Sequence, residues 1–150
     1  HVRSRRQRQM CIRDSPIGEA IVRKQGTDLT IVAFGRMVHE ALDAAEQLKE
    51  VGLNVEVIDA RSVQPFDTAT VVTSIKKTHR ALIVHEAVKF GGIGGEITAQ
   101  IQEEAFDYLD APIMRVAAPF SPVPFSPALE KLYIPNAAGI VAKVKETLEL

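Results

Sequence analysis

From residue 15 onward, short runs of β-branched apolar residues alternate with stretches whose apolar positions recur every three to four residues. The two periods predict buried strands separated by amphipathic helices. Glu19 to Lys24 reads as a short edge strand, and Leu29 to Phe34, Val55 to Asp59, Ala81 to His85 and Ile113 to Ala117 read as buried strands. Helical spacing covers Met37 to Val51, with Val38, Ala41, Leu42, Ala45 and Leu48 on one face, and then Thr68 to Lys77. It returns over Gly95 to Tyr108, with Ile97, Ile101, Ala105 and Tyr108 in line, and over Ala137 to Leu148. Asp67 and Asn136 stand where N-caps belong, while Gly26 and Gly52 stand at turns, Gly52 as a helix C-cap. Strand, helix, strand at this spacing predicts an α/β fold, a three-layer α/β/α arrangement around a mostly parallel five-stranded sheet. Residues Pro119 to Pro135 hold five of the eight prolines, which predicts extended chain packed over the surface.

Composition narrows the class. At 150 residues and 46% hydrophobic, the chain has the apolar material for one core rather than two. No apolar run approaches the roughly 18 to 20 residues a bilayer crossing needs, so no membrane partner is expected. The lone Cys11 and the absence of zinc-ligand spacing exclude a disulfide scaffold and a structural zinc site, and favour the cytoplasm or an organelle matrix. The net charge of −1 hides an asymmetry: residues 1–14 carry five Arg against one Asp, and residues 15–150 carry 13 Lys or Arg against 18 Asp or Glu. The first stretch, without hydrophobic period or interleaved aromatics, reads as a leader outside the domain, disordered or non-native in origin, and not as a nucleic-acid arm. Residues 15–150 read as the domain.

Candidate chemistry gathers where a strand runs through glycines into a helix. Gly91, Gly92, Gly94 and Gly95 have the context of an anion site at a helix N-terminus, but the dinucleotide fingerprint fails at Ile97 and Glu96 would repel a phosphate. Close helix packing is the competing reading. His85 and Glu86 close the preceding strand at the carboxyl edge of the sheet, where open α/β folds place ligands. A catalytic pair there lacks a nucleophile and a third orienting group, so a hydrogen-bonded structural histidine is the favoured expectation. A salt bridge between Asp59 and Arg61 and an N-cap at Asp67 account for a third cluster without catalysis, and His39 and His79 read as solvated.

Several linked motifs carry a resemblance: Pro16-Ile-Gly-Glu-Ala, Asp28-Leu-Thr-Ile-Val-Ala-Phe-Gly, Val57-Ile-Asp-Ala-Arg-Ser-Val-Gln-Pro-Phe-Asp, Val84-His-Glu-Ala, Gly91-Gly-Ile-Gly-Gly-Glu-Ile, Ala105-Phe-Asp-Tyr-Leu-Asp-Ala-Pro and Pro122-Val-Pro-Phe-Ser-Pro-Ala-Leu-Glu. In that order they resemble the C-terminal, transketolase-like domain of the beta subunit of thiamine-diphosphate-dependent 2-oxoacid or acetoin dehydrogenases, the pyruvate and acetoin members most closely. The resemblance implies an enzyme that oxidatively decarboxylates a 2-oxoacid and acylates a lipoyl group, with an alpha subunit and a second beta subunit as partners. It implies thiamine diphosphate and magnesium in the full enzyme, held by parts outside this chain, so that this chain alone binds neither, holds no catalytic residue and is inactive. It also implies that the basic subunit-binding domain of the dihydrolipoyl acyltransferase docks at Asp110 and at the terminal carboxylate of Leu150. For Asp110 a turn-capping role before Pro112 stands beside the docking one. The alternatives are another transketolase-superfamily enzyme or an assembly module without turnover. Self-association is expected through the second half of the Gly95 to Tyr108 helix and the Pro119 to Pro127 segment.

Overall fold

The computed structural model describes residues 16–150. Five strands form one sheet: β1 (Ile21–Lys24), β2 (Leu29–Ala33), β3 (Val55–Asp59), β4 (Ala81–Val88) and β5 (Met114–Ala118). Their spatial order is β1-β3-β2-β4-β5, with only β1 antiparallel to its neighbour. The helices are α1 (Met37–Glu50), α2 (Thr68–Thr78), α3 (Ile93–Ala105), α4 (Pro127–Tyr133) and α5 (Ala137–Thr147).

The strand period of two decides which side chains meet which layer. Ile31 pairs with Val57 and Leu82, and this row faces the core shared with Met37, Leu48, Ile140 and Val144 of α1 and α5. One residue along, Val32 pairs with Ile58 and Ile83, and that row faces Val71, Ile75, Ile97 and Ile101 of α2 and α3. Both faces of the central strands are therefore dry, which explains why β2 reads Leu-Thr-Ile-Val-Ala without alternation. A one-residue slip would exchange the two rows against layers shaped for the other.

Caps fall where the pattern puts them. Asp67 accepts from the Thr70 N–H at 3.0 Å and Asn136 from the Gly139 N–H at 2.9 Å. Gly52 follows α1 with φ of 83°, and its N–H donates to the Lys49 carbonyl. Gly26 serves a different end: a Cβ there would lie 2.2 Å from the backbone of Val55 and Glu56, so the position is a close approach rather than a turn.

Three expectations fail for local reasons. β4 runs three residues past His85, because Val88 pairs with Ala118 after an irregularity and the Lys89 N–H reaches the Ala118 carbonyl; His85 and Glu86 thus lie inside the strand. The third helix starts at Ile93, and after Ala105 it tightens to a 3₁₀ turn over Phe106–Tyr108. That turn rotates Tyr108 out of line to the surface, where Lys76 lies 4.8 Å over its ring. Finally, the proline-rich stretch contains α4. Ser126 is extended, Pro127 occupies the first turn where no N–H is needed, and the remaining prolines stand outside the helix.

Candidate functional site

At the carboxyl edge, β4 delivers His85 beneath the start of α3. Its ring is 3% exposed, and neither ring nitrogen has a hydrogen bond of good geometry among the described residues. The expected hydrogen-bonded histidine is thus corrected to a packed one. The glycines make the space: a Cβ on Gly94 would fall 2.4 Å from Nε2, and one on Gly92 would fall 3.0 Å from Cε1 and 2.1 Å from the Val88 carbonyl. Gly91, with φ of 68°, turns the chain into this approach. Arg115 of β5 closes the far side, its guanidinium donating to the Lys89 carbonyl at 3.3 Å and standing 3.3 Å from a Cβ on Gly95. The ring's pKa lies below its ordinary value: burial disfavours the cation most, the Ala87 backbone opposes this, and the Arg115 charge reinforces it. Glu86, next along, is exposed.

This arrangement does not fit a diphosphate. The N-terminal turn of α3 is filled by the imidazole, and Glu96 adds a carboxylate in the same turn. Among the described residues no group of three His, Cys, Asp or Glu side chains is placed to hold a metal ion.

Asp59 and Arg61 meet through the backbone, the Arg61 N–H donating to Asp59 Oδ1 at 3.1 Å, in place of the expected side-chain ion pair. Arg61 sits at φ of 58°, so its side chain leaves the strand direction. Asp67 receives three donors: the Ala20 N–H, the Thr70 N–H and the Thr70 hydroxyl. Burial pushes its pKa up, but those three hydrogen bonds outweigh it and hold the carboxyl below its usual range. Acid should therefore destabilise the fold in two stages. Both native pKa values are depressed, so the stability they confer is present above the ordinary values and is lost as pH falls. His85 acts from about pH 6.5 downward and Asp67 only below about pH 4. Melting temperature against pH should show both steps, and Asp67→Ala should remove the lower one while costing roughly 1 to 2 kcal/mol at neutral pH.

A polar cluster inside the domain was not foreseen. Glu56, 2% exposed on β3, accepts from the Gly26 N–H at 3.1 Å, from the Ser74 hydroxyl and from the Lys77 ammonium. Ser74 and Thr78 also bond Thr30. The sequence held a signal, since a glutamate within Val-Glu-Val-Ile of a strand covered on both faces must find donors.

The remaining candidates lie at the opposite edge. Asp110 follows the 3₁₀ turn; its N–H donates to the His79 carbonyl at 2.9 Å, and its exposed carboxylate accepts no hydrogen bond among the described residues. A capping carboxylate would accept one. His79, expected to be solvated, is half-buried and contacts the Tyr108 carbonyl through Nδ1 at 2.9 Å. Asp110 borders a groove of about 550 Å³ with Thr98, Phe106 and Pro112. Leu150 ends the chain beyond α5. Because the Ala137 N–H at the start of α5 donates to Glu40 in the first turn of α1, α5 starts at the carboxyl edge and runs to the amino edge. Asp110 and Leu150 therefore share the amino edge, in opposite layers on either side of β5.

A parallel sheet with one antiparallel edge strand, two helical layers and a glycine-cradled histidine defines an α/β domain whose carboxyl edge is packed rather than open. Residues 18–140 match the family model described as transketolase, C-terminal domain, and the chain belongs to that family. It is 47% identical over 133 residues to the pyruvate dehydrogenase E1 component subunit beta of Staphylococcus aureus, and equally to that of Staphylococcus epidermidis. Those alignments take in 89% of this chain and 41% of the relatives, so the chain spans about two fifths of their length. Among solved structures, a split-gene transketolase described as an inactive beta4 tetramer superposes with a TM-score of 0.77 at 32% identity, over 89% of this chain and 42% of its own. A Pichia stipitis transketolase mutant superposes at 0.65 with 18% identity, over 88% of this chain and 18% of its own, a likeness of fold alone. The domain is thus the transketolase-type C-terminal domain found in 2-oxoacid dehydrogenase beta subunits.

Proposed function

We propose that this chain is the assembly and docking domain of a pyruvate-type 2-oxoacid dehydrogenase beta subunit. Full activity, oxidative decarboxylation with transfer of the acyl group to a lipoyl arm, then belongs to a larger assembly with an alpha subunit. Thiamine diphosphate and magnesium are held by parts outside this chain. The observation that carries the docking role is the exposed, uncapped carboxylate of Asp110 on the same sheet edge as the terminal carboxylate of Leu150. Two acidic groups flanking β5 offer a cationic partner paired contacts, as the basic subunit-binding domain of a dihydrolipoyl acyltransferase would require.

In the complete beta subunit assembled with its alpha subunit, Asp110→Asn should weaken binding of that domain by roughly 1 to 3 kcal/mol, chiefly through faster dissociation and less at high salt. Calorimetric titration at low ionic strength reads the effect. Unchanged affinity there would remove Asp110 from the docking site. Alternatively, thiamine-diphosphate-dependent decarboxylation by the 150-residue chain alone would overturn the division of labour.

A further inference from the structure

The expected contact surface on the second half of α3 is already spent in the core, where Ile97, Ile101 and Ala105 are buried against α2 and the sheet. A different apolar surface is open. Phe90 after β4 and Phe120 after β5 meet edge to face with ring centroids 5.2 Å apart, and both rings remain mostly exposed. Val123, Phe125, Leu129 and Leu132 continue the surface, Phe125 being fully exposed. Loop and helix are fixed to one another: the Tyr133 hydroxyl donates to the Ser121 carbonyl at 3.1 Å, and a groove of about 250 Å³ lies between them. α4 itself has no buried residue. A seven-residue helix gains too little from its own hydrogen bonds to persist without tertiary support.

We propose that a second copy of this chain covers this surface about a two-fold axis. The proposal rests on the assembly role above and names the surface that performs it. Three observations favour a copy over other occupants. The six side chains expose roughly 800 Å², about what each partner contributes to a standard stable interface. Glu130 and Lys131, both exposed, are adjacent on α4, so a two-fold pairing of α4 with its copy sets opposite charges against one another at the rim. The chain leading into β1 comes in at the other side of the sheet, since Ile21 pairs with Asp59 on the edge strand farthest from β5. An upstream segment would therefore meet Ile17 and Val63, which are exposed there, before it could reach Phe120.

Sedimentation equilibrium of the 150-residue chain, with Phe120→Asp and Leu132→Asp alongside, tests this. Wild type should be a dimer at high micromolar concentration, and each variant should raise the dissociation constant by ~100-fold or more while keeping the wild-type circular dichroism and melting profile of the monomer. A monomeric wild type overturns both the proposal and the assembly role. Dimerisation of both variants with wild-type affinity overturns the proposal alone and leaves assembly to another surface. Because acyltransferase docking is read at Asp110 on the opposite edge, loss of docking in that assay leaves this proposal standing.

Discussion

Replacing Glu56 with alanine should destabilise the domain by about 3 kcal/mol, a fall in melting temperature of roughly 6 to 12 °C for a chain of this size. Three losses contribute. The Gly26 N–H is left without an acceptor where the chain presses on Val55 and Glu56, the Ser74 hydroxyl loses its charged acceptor, and the deleted side chain leaves a cavity beneath β1. Lys77 contributes less than its pairing suggests, because it is 42% exposed and can turn to water once the carboxylate has gone. Lys77→Met should therefore cost roughly 1 to 2 kcal/mol, well below the 3 to 5 expected for an ion pair buried on both sides. Urea denaturation of the two variants ranks them, and a larger loss for Lys77→Met would show that the ammonium, not the carboxylate, organises the cluster.

Gly92→Ala should be comparably severe, and Gly95→Ala neutral or stabilising, although the two positions lie in one glycine run. At Gly92 the new methyl would meet the Val88 carbonyl at 2.1 Å, so backbone must move and pull β4 from β5. At Gly95 the nearest atom is a terminal nitrogen of Arg115 at 3.3 Å, which can swing aside. There the helix-propensity gain of up to about 1 kcal/mol has little against it. Gly94 falls between: its Cβ would strike the His85 ring, which is wedged from both sides, at an overpacking cost of about 1 to 3 kcal/mol. The order Gly92, Gly94, Gly95 in thermal unfolding checks the cradle, and a large loss at Gly95 would contradict it.

Strands β2 and β3 were legible because β-branched runs buried on both faces leave a period-free apolar signature bounded by Gly and polar residues. The end of β4 was not, because Glu86 and Lys89 break that signature while the pairing of Val88 with Ala118, thirty residues away in sequence, extends the strand. α4 was hidden by its own punctuation: prolines on either side spell extended chain, and only the position of Pro127 at the helix start reconciles them. At the carboxyl edge, sequence alone narrowed the glycines to a ligand loop or a close approach. What separates the two is the position of the His85 and Arg115 side chains, a fact of tertiary packing. Asp110 and Leu150 came from family resemblance, and no local spacing announces that forty residues of chain return them to one edge.

The direction of β1 has a mechanical consequence. The chain comes in at the carboxyl edge, held by the Gly18 N–H on the Ser62 hydroxyl and the Ala20 N–H on Asp67, and it leaves from the amino edge after α5. Tension between its two ends therefore runs along the strands and loads the β1–β3 ladder in shear. Hydrogen bonds strained in that direction must break together, whereas a pull across the sheet would peel them one at a time. A partner tugging at Leu150 from a flexible tether would thus pull along the axis on which this domain yields least.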